Sequence, residues 1–224
     1  VSGAQMEGDA FAALALLRDD PRIDPRRIGI MGVSKGGVAT LNAAIAARQR
    51  WRGEFPHLFD LHVAICPGAT AQHRDPTTLG RPMFLMLAAR DDYTPAPLAI
   101  EYAERMRAAG NDRIKVKVYG SAHHGWESVG PVFDIKDAEN WSCCRNYIED
   151  DGTHFIPAAG RTMSEPEYQA WARQHCVTRG ARAGGGTPAL KQRATADLLG
   201  FLASHGFTAP IHRSMDESEV SGYT

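Results

Sequence analysis

Apolar residues in this chain come in short blocks, and the spacing within them switches between helical and extended periods. Residues 6–18 read as a helix, and because 10–17 is apolar all round it reads as a buried one. Asp19-Asp20-Pro21 and Asp24-Pro25 end it in a turn-rich connection. The run 28–31 shows no alternation, the mark of a parallel strand covered on both faces. After a glycine-rich turn, 38–48 is helical, with Leu41, Ala44 and Ile45 on one side. Two more buried strands follow at 61–66 and 82–89. Thr94 as N-cap and Pro95 at the first helical position open the next helix, and Gly110 closes it. A fourth strand spans 114–119. Strands alternating with helices predict an α/β fold, a mostly parallel sheet wrapped by helices.

Beyond residue 125 this rhythm stops. Residues 147–156 read as a hairpin turning at Asp151-Gly152, and Ser164-Glu165-Pro166-Glu167 as a capping box for a short helix to about 175. Residues 179–186 read as loop. Thr187-Pro188 caps a last helix, 189–204, with Leu190, Ala194, Leu198 and Leu202 along its core-facing stripe. The expected division is a core at 1–125, an insertion at 126–186, a returning core helix at 187–207 and a polar tail at 208–224.

Composition narrows the function classes. With 25 Lys+Arg against 26 Asp+Glu the net charge is −1, and no basic stripe suggests nucleic-acid or membrane-surface partners. No apolar run approaches the ~18 residues of a membrane span. The four cysteines show no CxxC spacing, so a zinc site is not expected. Cys66 reads as a small buried hydrophobe. Cys176 is expected to bond Cys144 or Cys143, clipping an insertion with little core of its own. That pairing would favour a periplasmic or secreted protein, and free thiols a cytoplasmic one.

The strongest local signal is Gly32-x-Ser34-x-Gly36 between a buried strand and a helix. A serine in that sharp turn is lifted clear of the sheet, and the N–H of Lys35 points where a substrate oxyanion would form. Asp91 follows the third strand and His123-His124 the fourth. The order Ser34, Asp91, His124, with spacings of 57 and 33 residues, is that of an α/β-hydrolase, and places all three beyond the carboxyl ends of parallel strands. Asp92 reads as a helix-start carboxylate, His123 as a wall residue and the Lys35 side chain as a surface cation. The remaining histidines read as structural or solvated. Trp126, Trp141, Tyr147, Phe155, Tyr168 and Trp171 are expected to pack a small satellite core around the insertion. No metal or cofactor is called for.

GVSKGG (32–37), AARDDYTP (88–95) and GSAHHGW (120–126) resemble the dienelactone hydrolase-like group of α/β-hydrolases. The resemblance covers roughly residues 5–126 and the final helix. It implies an acid four residues before a proline, which falls on Asp91, and a base before a small residue and an aromatic, which falls on His124. The chain departs from the group at the nucleophile, where dienelactone hydrolases carry Cys and this chain carries Ser34. That departure points to an esterase-like or peptidase-like relative. The expected activity is hydrolysis of a small-molecule carboxylic ester through an acyl-enzyme. A prolyl oligopeptidase-like peptidase and a non-catalytic scaffold are the alternatives.

The resemblance also implies several more strands than the four legible here, so the N-terminal strands are expected to lie outside this chain. The loop that normally gives the second oxyanion donor would lie with them. Losing one such donor costs roughly 10²–10³ in kcat. The 224-residue chain alone is therefore expected to pair edge to edge and to turn over slowly. Sizing and kinetics that found a monodisperse 24.4 kDa monomer with ordinary esterase rates would contradict this.

Overall fold

The computed structural model describes residues 3–48 and 57–207; the tail from Thr208 falls outside them. Its centre is a four-stranded, wholly parallel sheet in the order β1-β2-β4-β5, built from β1 (Gly29–Val33), β2 (Leu61–Ile65), β4 (Met83–Ala88) and β5 (Ile114–Tyr119). The register sets Val33 beside Ile65 and Ala88 beside Tyr119, so the strands end close together. Every residue of β2 and β4 is buried, as an apolar β4 and a β2 apolar but for His62 require. Side chains alternate between two cores. On one face Ala64, Leu85 and Leu87 meet α2 (Lys35–Ala44) and α3 (Ala96–Ala108) through Leu41, Ile45, Tyr102 and Met106. On the other, Val63, Phe84 and Met86 meet α5 (Pro188–Ser204) through Leu190, Ala194 and Phe201.

Both edges of this sheet differ from a covered strand. β1 is an edge strand with Met31 60% exposed, so the expectation that it is covered on both faces is not met. The lack of alternation in 28–31 reflects two glycine-spaced apolar residues rather than double burial. β5 alternates instead and turns Lys115 and Lys117 outward, charges that discourage pairing at an edge.

α1 (Gly3–Asp19) is likewise not buried all round. Phe11 and Leu14 pack with Ile28, Ala43 and Phe59, while Leu16 and Leu17 stand 75% and 40% exposed. An all-round apolar helix and a one-sided one look alike when the outer face is alanine and leucine.

A second four-stranded sheet, β10-β9-β8-β3, builds the module after residue 125. Its strands β8 (Asn146–Ile148), β9 (His154–Ile156) and β10 (Arg161–Met163) form an antiparallel meander. β3 (Ala71–His73), from the segment after β2, joins it in parallel. The sheet packs on α4 (Glu165–His175), whose N-cap Ser164 accepts from the Glu167 N–H, around Cys144, Ile156, Met163, Tyr168 and Ala172. Trp126 is not part of this satellite core; it packs edge-tilted on Tyr119 in the main core. The segment 179–186, expected as loop, carries two short strands. β11 (Thr178–Arg179) pairs with β7 (Glu139–Asn140), and β12 (Arg182–Gly184) with β6 (Val132–Asp134). Gly184 has φ +87, and a Cβ there would meet the Pro131 carbonyl oxygen at 2.3 Å, so a sequence that reads as flexible glycine is a tight crossing.

Cys144 bonds Cys176 across 32 residues, while Cys66 is buried and Cys143 exposed as free thiols. Closing a loop of that length is worth about 3–4 kcal/mol in the chain-entropy model. Non-reducing denaturation should therefore release two titratable thiols of the four cysteines. The paired change Cys144→Ser with Cys176→Ser should lower the melting temperature by several degrees.

Two buried histidines set the acid limit of the fold. Burial pushes the His62 imidazole down to about 4, and burial with the nearby Arg48 charge does the same for His73. Unfolded histidine takes up its proton near 6.5, so the unfolded state binds more protons between pH 6.5 and 4. Stability is full above about 6.5 and falls as pH drops toward 4, with a limiting slope near 2–3 kcal/mol per pH unit for two groups. Thermal unfolding between pH 7.5 and 5 checks this, and His62→Gln should reduce the slope by about half.

Candidate active site

The turn after β1 is forced by its glycines. A Cβ on Gly32 would stand 2.2 Å from the backbone of Gly36, so only glycine lets the strand pass into α2 this tightly. Ser34 sits between them at φ 54, ψ −117, a left-handed strain that a non-glycine residue adopts only when its surroundings impose it. Its N–H donates to the Ile65 carbonyl at 2.9 Å and its own carbonyl accepts from Val38 at 3.0 Å, which anchors the turn to β2 and α2. Lys35 is the first residue of α2, so its N–H lies at the positive end of the helix dipole.

His124 joins the three residues. Its Nε2 lies 2.9 Å from Ser34 Oγ, and its Nδ1 lies 2.9 Å from Asp91 Oδ2. A carboxylate only accepts, so Nδ1 carries the proton and Nε2 presents its lone pair to the serine hydroxyl. The Asp91 side chain is fully enclosed. Burial pushes its carboxyl up, but hydrogen bonds from His124 and Thr94 outweigh this and hold it below its ordinary value, so it stays charged. The Tyr93 ring meets the His124 ring edge-on at 5.0 Å and confines it.

The strands bearing Ser34 and Asp91 are separated by β2, and the residue at the end of β2 fills the gap. That residue, Cys66, has φ 43 and a buried thiol that accepts from Trp126 Nε1 at 3.2 Å. Burial, with the Asp91 charge, drives the thiol pKa far up, so Cys66 is a neutral wall and not a competing nucleophile. Donor atoms of Cys66, Asp91 and His124 all lie within 4.8 Å of one another. Each already has a hydrogen-bond partner, which makes this a hydrogen-bonded cluster rather than a metal cage.

Thr94 does a different job from the expected N-cap, which falls on Pro95. Its hydroxyl lies 2.8 Å from Asp91 Oδ2, 3.0 Å from the Cys66 carbonyl and 3.1 Å from His124 Nδ1. Its N–H, with that of Tyr93, donates to Asp91 Oδ1. Asp92 is not a helix-start carboxylate either; it binds Arg182 through the backbone N–H at 2.8 Å and Nε at 2.9 Å. Asn140 donates to the carbonyls of Asp92 and Gly180, and Gly184 N–H donates to the His124 carbonyl at 2.7 Å. The module after residue 125 thus grips both the Asp91 loop and the His124 loop. His123 takes no part in the hydrogen bonds that join Ser34, His124 and Asp91; a Cβ on Gly185 would stand 3.3 Å from its Cδ2. Thr94 was legible only as a cap, and Arg182 and Asn140 gave no signal in the sequence at all.

The Dienelactone hydrolase family model matches residues 2–140. The chain belongs to that family. Protein usf of Aquifex pyrophilus is 26% identical over 125 residues, which are 55% of this chain and 50% of that protein. The chain thus spans about half the length of this curated relative. Among solved structures, the esterase Est2 of Thermogutta terrifontis superposes with a TM-score of 0.55 at 16% identity, covering 95% of this chain and 68% of that one. Its butyrate-bound form gives 0.56 at 17% identity, covering 94% and 69%. At such identities the likeness establishes the α/β-hydrolase fold.

Two substitutions separate the roles of turn and hydroxyl. Gly32→Ala should destabilise the fold by several kcal/mol, read by denaturant unfolding, because the Cβ meets backbone and not a movable side chain. Thr94→Val should leave the fold intact and lower kcat about tenfold with little change in KM, the cost of about one charge-assisted hydrogen bond to Asp91.

Proposed function

We propose that this protein hydrolyses a carboxylic ester of a small molecule through an acyl-enzyme, with Ser34 as nucleophile, His124 as general base and Asp91 as the orienting acid. The observation that carries the reading is the single imidazole bridging a strained serine and an enclosed, ionised carboxylate. His124 Nε2 takes the Ser34 proton as Oγ attacks the carbonyl, and Asp91 stabilises the imidazolium that results. The N–H of Lys35 donates to the developing oxyanion. His124 then protonates the leaving alcohol, and a water activated by the same imidazole hydrolyses the acyl-serine. Serine in place of the family's cysteine suits an oxygen-ester hydrolase, since the hydroxyl needs this base to become nucleophilic while a thiol largely does not. The Cys144–Cys176 bond fits an oxidising compartment.

Initial rates on short-chain p-nitrophenyl esters test the roles. Ser34→Ala and His124→Ala should each remove turnover by about 10³-fold or more with melting temperatures near that of the unmodified protein. His123→Ala should retain most of it. A dead His123→Ala beside an active His124→Ala would reassign the base, and faster cleavage of proline-containing amides than of esters would favour a peptidase.

A further inference from the structure

A concave site adjoins the turn of Ser34 through Lys35 but takes no wall from the three triad residues. A cavity of about 630 Å³ runs beside α2 and the segment that follows it to Arg48, between these, β3 and the sheet and helix of the second module. Neither Ser34, Asp91 nor His124 lines it. Its volume falls in the range of small-molecule sites.

The lining is close to charge-neutral. Arg48 pairs with the buried Glu7 at 2.6 Å, Arg173 with Glu139 at 3.2 Å, and Glu149 with Arg74 at 2.8 Å. Lys35, Asp150 and Glu165 add one positive and two negative side chains to the lining. A phosphate would find few cations to spare, and a cationic ligand would face Arg48.

What the cavity does offer is neutral hydrogen-bonding groups. His73 is 5% exposed, and its Nε2 is enclosed with no partner. A buried polar atom left unmet in this way is costly and calls for a partner. His154 donates from Nδ1 to Asn146 Oδ1 at 2.8 Å. The Asn146 orientation is fixed, because its Nδ2 donates to the Cys144 carbonyl at 3.1 Å, so His154 Nε2 is an acceptor. Burial and the Arg48 charge hold both imidazoles below their ordinary pKa, so both are neutral near pH 7 and His73 has a donor and an acceptor. Trp141 and Tyr168, with ring centroids 6.2 Å apart, add apolar wall. Groups that both give and accept hydrogen bonds beside aromatic surface match a ligand whose hydroxyls do the same and whose C–H faces are apolar.

We propose that this cavity binds a neutral polyhydroxylated ligand, a mono- or disaccharide unit, through His73 and His154. The site stands independently of the acyl-transfer reading. Calorimetric titration of the purified protein with glucose, galactose, xylose, cellobiose and xylobiose, beside inorganic phosphate and choline, tests it. At least one sugar should bind saturably and more tightly than either charged probe. His73→Leu should weaken that sugar about tenfold, the loss of one hydrogen bond to a buried group. Should His73→Leu unfold, Ala71→Met, which narrows the cavity without removing a polar group, should weaken it likewise. Ser34→Ala should bind as the unmodified protein does. No saturable sugar binding, tighter binding of phosphate or choline, or indifference to the folded cavity variants would overturn the proposal. Loss of binding in Ser34→Ala would overturn it too, by moving the sugar to the triad.

Discussion

An imidazole held by a buried carboxylate on one side and a strained serine on the other demands that three loops, 33 and 90 residues apart in pairs, meet within hydrogen-bond reach. Only the parallel register of the central sheet meets that demand. Val33 ends level with Ile65 and Ala88 level with Tyr119, with β4 and β5 running two residues past β2, so the turns beyond all four strands start from one end of the sheet. A slip of one residue in β1 or β5 would reverse every side chain on that strand and take Ser34 or His124 out of reach.

Placement alone does not hold a charged aspartate away from water. The Asp91 carboxylate is enclosed, and its charge is supported by two backbone N–H groups, the Thr94 hydroxyl and His124. Removing partners from a buried charge costs more than the pairing is worth in water, so these contacts make the site rigid. The second module adds to that rigidity. Arg182 holds Asp92, and Gly184 holds the His124 carbonyl, so the loops that carry Asp91 and His124 are tied to one pair of short strands.

Much of this was legible in the sequence, and the failures share a cause. The four central strands, the elbow, the hairpin at Asp151-Gly152 and the capped last helix follow from periodicity and turn chemistry, which are local. The solvent-facing side of α1 and the exposed face of β1 depend on what lies opposite them, which periodicity does not report. The segment 179–186 misled because glycine signals both a flexible loop and a close backbone crossing, and only the Pro131 carbonyl decides between them. Thr94 offered two uses for one hydroxyl. The cap was the visible one, and the aspartate three residues before it took the bond.

The central claim is that Ser34 is made nucleophilic by its bond to His124. Treatment of the purified protein with a fluorophosphonate, followed by peptide mass spectrometry, reads this directly. The account predicts one adduct, on Ser34, which forms rapidly in the unmodified protein and at a rate near that of free serine in His124→Ala. An unlabelled Ser34 in folded protein, or labelling that is as fast without the imidazole, would contradict it.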